Sequence, residues 1–150
     1  MKVSFLTAGG IAPCLAASIG RLIHNYSKTD SSVEMIGYLN GYKGLLLGNS
    51  ISISQDVIDS CETLYQFGGS PIGNSRVKLS NIDDCIENSY INVGDNPIEV
   101  AAEQLVRDRV DILHTIGGDD TNTTAGELLS CLAKNGNKLT VVGLPKTVDN

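Results

Sequence analysis

The most informative segment of the chain is Ile112-Leu-His-Thr-Ile-Gly-Gly-Asp-Asp-Thr-Asn-Thr-Thr-Ala125. It runs from a short apolar strand pattern through two glycines and two acids into the start of a helical pattern. This order forms an anion-binding arrangement, because the first N–H groups of a helix have no partner within it. Two carboxylates would repel a phosphate unless one of them held Mg²⁺ and the metal held the phosphates. The segment therefore predicts a magnesium–phosphate site.

Hydrophobic periodicity and turn residues predict a chain in which strands and helices alternate. The predicted strands cover residues 3–7, 33–39, 51–53, 112–116 and 139–144, and the predicted helices cover residues 13–23, 55–61, 82–88, 98–109 and 123–135. The segment from Gly41 to Gly44 is predicted to be a turn-rich loop. Alternation with short connections indicates an α/β fold, doubly wound, with a mostly parallel sheet and helices on both faces. Ligands of such sheets bind at the carboxyl ends of the strands.

Length and composition indicate one globular domain. The chain has 150 residues, of which 41% are hydrophobic and 19% charged. Its net charge of −6 disfavours binding to nucleic acid or to an anionic membrane surface. Four scattered cysteines without a Cys-x-x-Cys pair, and the lack of a signal peptide or a membrane-length apolar run, favour a cytoplasmic protein.

The last segment, Pro145-Lys-Thr-Val-Asp-Asn150, directly follows a predicted strand. No helix follows to cover that strand, so we expect residues 1–150 to be the front portion, a truncated α/β domain, of a longer protein. The segment adds a cation, a hydroxyl and a carboxylate (Lys146, Thr147 and Asp149) to the same edge of the sheet. These groups could neutralise a phosphoryl group in transfer, position it and accept a proton from the acceptor hydroxyl.

Other candidate residues are ambiguous when taken singly. Arg76 is the most plausible cation for a phosphate, since a guanidinium binds phosphate oxygens bidentately, yet taken alone a solvated loop arginine is the favoured interpretation. Tyr42 is interpreted as a packing residue of its loop. His24 and His114 lie in apolar patterns and are interpreted as core or surface residues rather than ligands or bases.

Four motifs in order resemble the 6-phosphofructokinase family, and in particular its pyrophosphate-dependent branch. They are Leu6-Thr-Ala-Gly-Gly-Ile-Ala-Pro-Cys14, Gly68-Gly-Ser-Pro-Ile-Gly-Asn-Ser-Arg76, Gly117-Gly-Asp-Asp-Thr-Asn-Thr-Thr-Ala125 and Pro145-Lys-Thr-Val-Asp-Asn150. The resemblance implies a phosphofructokinase-like fold in a longer, homo-oligomeric enzyme (dimer or tetramer). Residues 1–150 would be its donor-binding domain, without the substrate domain. The implied reaction is the reversible, Mg²⁺-dependent transfer of a phosphoryl group from pyrophosphate to fructose 6-phosphate, in glycolysis or gluconeogenesis.

The resemblance also implies a role for each matching position. The implied phosphoryl-donor-binding residues are Gly9, Gly10, Arg76, Gly118, Asp120 and Lys146. Asp119 would hold Mg²⁺, while Thr147, Val148 and Asp149 would contact the sugar phosphate. The implied catalytic residues are Asp149, Lys146, Asp120 and Thr147. Asp149 would act as the general base that removes the proton of the fructose 1-hydroxyl.

The choice of donor depends chiefly on Asp120. ATP-using bacterial relatives have glycine at this position and at that of Lys146. A carboxylate at Asp120 would fill and charge the space that the α-phosphate of a nucleotide must enter, so that pyrophosphate fits and ATP clashes. Lys146 would neutralise the donor.

Three alternatives compete with this prediction. An ATP-dependent 6-phosphofructokinase shares most of the motifs. A non-catalytic regulatory subunit of the same fold would be favoured by the loss of Asp119 or Asp149, and both are present. A Rossmann-type nucleotide-binding domain predicts a Gly-x-Gly-x-x-Gly turn, which Ala8-Gly9-Gly10-Ile11 does not provide.

Overall fold

A computed structural model describes residues 1–147. Within them a five-stranded sheet has the order β3-β2-β1-β4-β5. The strands are β1 Lys2–Thr7, β2 Glu34–Tyr38, β3 Ser50–Ser52, β4 Ile112–Gly117 and β5 Thr140–Pro145. The helices are α1 Cys14–Thr29, α2 Tyr42–Leu47, α3 Gln55–Asp59, α4 Ile82–Glu87, α5 Pro97–Arg107 and α6 Asp119–Lys134, with a 3₁₀ helix at Cys61–Gln66. β3 pairs antiparallel with β2, and the other pairs are parallel.

Two apolar clusters fill the space on the two faces of the sheet. Alternate residues of β1 divide between them: Val3 and Phe5 belong to the cluster under α1, whereas Leu6 belongs to the cluster under α2, α5 and α6. Because strand side chains alternate between faces, a strand covered on both sides reads as an unbroken apolar run. The predicted doubly wound α/β fold is confirmed.

Helix boundaries near the predicted site differ from those expected. The predicted loop from Gly41 to Gly44 is wrong, because α2 begins at Tyr42. Glycines flank this short helix at both ends, Gly41 with φ 66° and Gly48 in the left-handed region. α6 begins at Asp119, four residues before the predicted start at Thr123, so both acids lie in its first turn. Acidic side chains are favourable there because the amino end of a helix carries a partial positive charge.

Parallel pairing brings the ends of three strands to one edge of the sheet. Thr7 of β1 lies beside Ile116 of β4, and Gly117 of β4 lies beside Pro145 of β5. The residues that follow each strand therefore emerge close together, as expected for a ligand site in this class of fold. No helix within residues 1–147 has the length and apolar character needed to cross a membrane.

Gly41 should be intolerant of any side chain. Its φ of 66° is paired with a ψ of −134°, and a Cβ atom would lie 2.4 Å from the Thr7 carbonyl oxygen. We expect Gly41→Ala to lower the free energy of unfolding by about 1–3 kcal/mol or more. Gly126→Ala, in a helix where a Cβ would meet nothing within 4 Å, should instead raise it by about 0.5–1 kcal/mol. Urea unfolding midpoints measure both changes, and equal midpoints would contradict the expected contrast.

His114 lies in the core, in the middle of β4. It is only 5% exposed, its Nε2 atom is 2.8 Å from the Tyr26 Oη atom, and its ring lies 5.9 Å from that of Phe5. Burial lowers the pKa of His114 below its usual value. The folded protein therefore binds fewer protons than the unfolded chain once the pH falls to the ordinary histidine range.

The burial of His114 should make stability depend on pH. The free energy of unfolding should decline as the pH falls below about 6.5, by at most about 1.4 kcal/mol per pH unit for one proton. The decline should continue down to the lowered pKa of the folded state and then level off. Urea unfolding at several pH values measures the slope. His114→Phe should remove this component and His24→Gln should retain it, whereas the same slope in His114→Phe would assign the effect to other groups.

Candidate active site

A cleft of about 310 Å³ lies at the carboxyl ends of β1 and β4. Its walls come from the first glycine loop (residues 8–13), the second glycine loop (residues 67–78), α2 and the first turn of α6. The lining residues are Ala8, Gly9, Gly10, Tyr42, Arg76, Val77, Lys78, Asp120 and Thr121. The structure thus brings four of the predicted donor-binding residues, Gly9, Gly10, Arg76 and Asp120, into one cleft.

The first glycine loop is hydrogen-bonded to the second. Gly9, with φ 88°, donates its N–H to the Ser75 carbonyl at 2.9 Å, and its own carbonyl accepts from Asn74 Nδ2 at 2.6 Å. These two bonds fix the loop that carries Arg76 against the end of β1. The bond to Ser75 occupies the Gly9 N–H, so the Gly10 N–H is the remaining amide of this pair for the expected contact with a phosphate.

The second glycine loop is also hydrogen-bonded to β1 and to the segment that follows β2. Thr7 donates its hydroxyl to the Gly73 carbonyl at 2.8 Å, and Ser75 donates its hydroxyl to the Asn40 carbonyl at 2.7 Å. Arg76 itself is exposed and forms no ion pair with any residue in the described part of the chain. A fixed backbone with an uncommitted guanidinium suits the capture of an anion.

The turn from β4 into α6 depends on the absence of a side chain at Gly117. A Cβ atom there would lie 2.4 Å from Thr121 Oγ1, so the threonine packs directly over the glycine. The Thr121 carbonyl accepts a hydrogen bond of 2.8 Å from the Tyr42 hydroxyl. Burial raises the pKa of Tyr42, which keeps this hydroxyl protonated as a donor. Tyr42 is therefore a packing residue as expected, but it lies on a helix.

The two acids of the α6 first turn have different surroundings. Asp120 lines the cleft, and its carboxylate lies 2.6 Å from Lys78 Nζ. Its side chain remains 77% exposed. Asp119 is exposed, precedes Asp120 on the same turn and does not line this cleft. Gly118 is the residue before the helix, and a Cβ atom on it would lie 3.7 Å from the Lys146 carbonyl oxygen.

Lys146 connects β5 to the first glycine loop. Its N–H donates to the Gly117 carbonyl at 2.9 Å, and its Nζ atom donates to the Gly10 carbonyl. The whole residue is only 5% exposed. A buried ammonium beside Gly9 and Gly10 places positive charge next to the first glycine loop. Thr147 follows it and is exposed, while the predicted substrate residues Val148 and Asp149 lie outside the described residues.

The family model for phosphofructokinase matches residues 2–150. The chain belongs to the phosphofructokinase family. This confirms the resemblance carried by the four motifs.

Named relatives with high identity are pyrophosphate-dependent enzymes. The phosphofructokinase chain is 58% identical to pyrophosphate–fructose 6-phosphate 1-phosphotransferase of Methylotuvimicrobium alcaliphilum over 149 residues, which cover 99% of this chain and 36% of that protein. It is 33% identical to ATP-dependent 6-phosphofructokinase 3 of Streptomyces coelicolor, over all of this chain and 38% of the relative. The chain thus spans little more than a third of the length of these relatives.

A solved structure supports the fold. The crystal structure of a pyrophosphate-dependent phosphofructokinase from Marinobacter aquaeolei superposes with a TM-score of 0.82, at 23% identity, over 99% of this chain and 34% of that one. The whole described α/β unit, and not only its motifs, therefore follows the phosphofructokinase architecture.

Sequence reasoning missed Lys78 in the cleft of this phosphofructokinase. The available signal was a second cation two positions after Arg76, in the same loop as the predicted phosphate ligand. Thr121 was also missed as a wall residue, because the helix was expected to start after it. Hydroxyl residues in a first helical turn usually indicate capping, so their packing against a glycine could not be read from the sequence.

The hydrogen bond from Tyr42 should stabilise the cleft wall. Tyr42→Phe removes the donor to the buried Thr121 carbonyl without changing the volume of the ring. We expect a loss of about 0.5–1.5 kcal/mol in the free energy of unfolding. Tyr65→Phe is the matched control, because Tyr65 is 38% exposed and its hydroxyl forms no hydrogen bond within residues 1–147. Equal unfolding curves for the two variants would contradict the assigned role.

Proposed function

We propose that this chain is the donor-binding domain of a longer enzyme that transfers a phosphoryl group from pyrophosphate to the 1-hydroxyl of fructose 6-phosphate. The products are fructose 1,6-bisphosphate and phosphate, and the reaction is reversible. The observation that carries the proposal is the position of Asp120 on the wall of the cleft that Gly9, Gly10 and Arg76 also line. The higher identity to the pyrophosphate-named relative than to the ATP-named one supports the same donor.

Asp120 would select the donor by charge and by volume. A carboxylate at the cleft wall repels an additional phosphate, and its atoms occupy space that a longer donor needs. Pyrophosphate has no α-phosphate or nucleoside to place there. Its terminal phosphate groups would be held by the Gly10 amide, the Arg76 guanidinium and the amino end of α6 beside Gly118.

The buried Lys146 would complete charge neutralisation. Its Nζ atom already bonds the Gly10 carbonyl, so it is fixed before a donor binds. A preorganised cation near the transferring phosphoryl group stabilises negative charge without the cost of reorienting solvent. This assignment explains why a lysine is buried at the end of a strand in an acidic protein.

A magnesium ion would bind through Asp119 and the donor together. No cluster of three or more metal-ligating side chains occurs within residues 1–147. Mg²⁺ in phosphoryl-transfer sites is commonly held by one or two carboxylates, phosphate oxygens and water, so one exposed carboxylate beside the cleft fits this ion. The metal would supply further charge neutralisation on the phosphates.

The transfer step would use the segment after β5. The fructose 1-hydroxyl oxygen forms a bond to one phosphorus of pyrophosphate, while the bond from that phosphorus to the bridging oxygen breaks and phosphate leaves. Asp149 would take the hydroxyl proton as general base, and Thr147 and Val148 would position the sugar phosphate. The remaining ligands of the sugar phosphate would come from the part of the enzyme beyond this chain. We further propose a cytoplasmic homo-oligomer, a dimer or tetramer.

A donor assay tests the proposed function. The full-length protein that contains this sequence should form fructose 1,6-bisphosphate with pyrophosphate and Mg²⁺, and should be at least about a hundredfold less efficient with ATP, the scale of a steric and charge clash of roughly 3 kcal/mol. Activity with ATP alone would establish an ATP-dependent enzyme instead. Absence of activity with either donor would favour the regulatory-subunit alternative.

Replacing Asp120 should shift donor preference. Asp120→Gly removes both the charge and the atoms that bar a nucleotide, so kcat/KM for ATP should rise by roughly tenfold or more relative to that for pyrophosphate. Asp83→Gly is the matched control, since it also removes an acid from the first turn of an exposed helix, α4, away from the cleft. An unchanged ratio of the two donors in Asp120→Gly would contradict the role of Asp120.

A further inference from the structure

An ion pair within the cleft joins Lys78 to Asp120, which lie in two different parts of the chain. Lys78 lies just beyond the Gly68–Arg76 motif, and Asp120 lies in the first turn of α6. Their Nζ and Oδ2 atoms are 2.6 Å apart, and both side chains line the cleft. No role is given to Lys78 by the resemblance or by the transfer chemistry described above.

Stability does not explain this pair. The two side chains are 57% and 77% exposed, and exposed ion pairs contribute little to folding because water already solvates both charges. The location of the ion pair on the cleft wall instead suggests a role in ligand binding. The pair lies on the wall that carries Arg76 and the two glycines, where a donor with several negative charges is proposed to bind.

Asp120 alone would hinder the donor that it is proposed to select. A free carboxylate on the cleft wall repels pyrophosphate as well as ATP, although less strongly. A cation in contact with that carboxylate cancels most of the repulsion and leaves the side-chain volume in place. Arg76 has no ion-pair partner within residues 1–147 and remains available for phosphate, while Lys146 is buried against Gly10. Lys78 is therefore the cation positioned to neutralise Asp120.

We propose that Lys78 is a specificity-determining residue that acts through Asp120. It holds the Asp120 carboxylate against the cleft wall and neutralises it, so that a short diphosphate donor is admitted while a longer one is still obstructed. The proposal rests on the proposed function, since it takes pyrophosphate as the donor. Lys78 is a positioning residue in this account and does not itself bind the donor.

A double-mutant cycle tests this coupling in the full-length protein. Lys78→Met, Asp120→Asn and the double variant are compared with the unmodified protein for kcat and for KM with pyrophosphate. In the presence of Asp120, Lys78→Met should raise KM for pyrophosphate roughly three- to tenfold, with kcat within about twofold. In the Asp120→Asn background, the same substitution should change KM less than about twofold, because no charge remains to be neutralised.

Two further variants control for indirect effects. Lys78→Arg keeps the positive charge and should restore KM to within about twofold of the unmodified protein. Lys2→Met removes a different exposed ion pair, with Glu34 at 3.4 Å on the sheet far from the cleft, and should leave KM unchanged. The effect of Lys78→Met should also shrink between low and high ionic strength, since salt screens exposed charges.

The outcomes separate this proposal from the assignment of the donor. An equal rise in KM in both backgrounds would mean that Lys78 binds pyrophosphate directly, and would overturn the positioning role. No change in Lys78→Met would show that the ion pair is without consequence, and would also overturn it. In either case the unmodified protein would still use pyrophosphate, so the proposed function would stand. An unmodified protein that uses ATP alone would overturn both.

Discussion

The parallel pairing of β1 with β4 is the constraint on which the site depends. Its register sets Thr7 beside Ile116, and the Ala8 N–H continues the pairing to the Ile116 carbonyl at 3.1 Å. The first glycine loop and the turn into α6 therefore leave the sheet at the same level. A shift by one residue would reverse the side-chain faces of a strand whose residues are buried on both sides. The apolar core thus fixes the distance between the first glycine loop and the turn into α6.

Close approach of neighbouring atoms then shapes the cleft, and this explains why positions 41 and 117 are glycines. At Gly117 the space of a side chain is taken by Thr121, and at Gly41 it is taken by the Thr7 carbonyl. A chain with a net charge of −6 offers few cations for an anionic ligand. Backbone amides, the amino end of α6 and a few basic side chains supply the missing positive potential locally, which is why the acidic balance of the whole chain does not exclude a phosphate site.

Much of this could be predicted from the sequence, and the failures have physical causes. β1 and β4 are apolar runs followed by glycine, so the edge that carries Gly9 and Asp120 followed from periodicity and from the rule for parallel sheets. Arg76 was assigned to the site only by its loop motif and the family resemblance. The α2 helix was missed because its six residues include a glycine, and short helices depend on tertiary packing rather than on propensity. The engagement of the Gly9 N–H with Ser75 and the contact of Lys78 with Asp120 could not be predicted, because both join loops more than 40 residues apart in sequence.

Selectivity for a short donor creates a conflict that a single acid cannot resolve. A side chain that excludes a longer anionic donor must lie close to the shorter donor. Any negative charge on that side chain therefore weakens the binding of both donors. An acid with an adjacent exposed cation lowers the penalty on the shorter donor, because the cation cancels most of the nearby field, and the side chain still occupies the path of a longer donor. The lysine at position 78 has this geometry, whereas the buried Lys146 lies against Gly10 and forms no ion pair with Asp120.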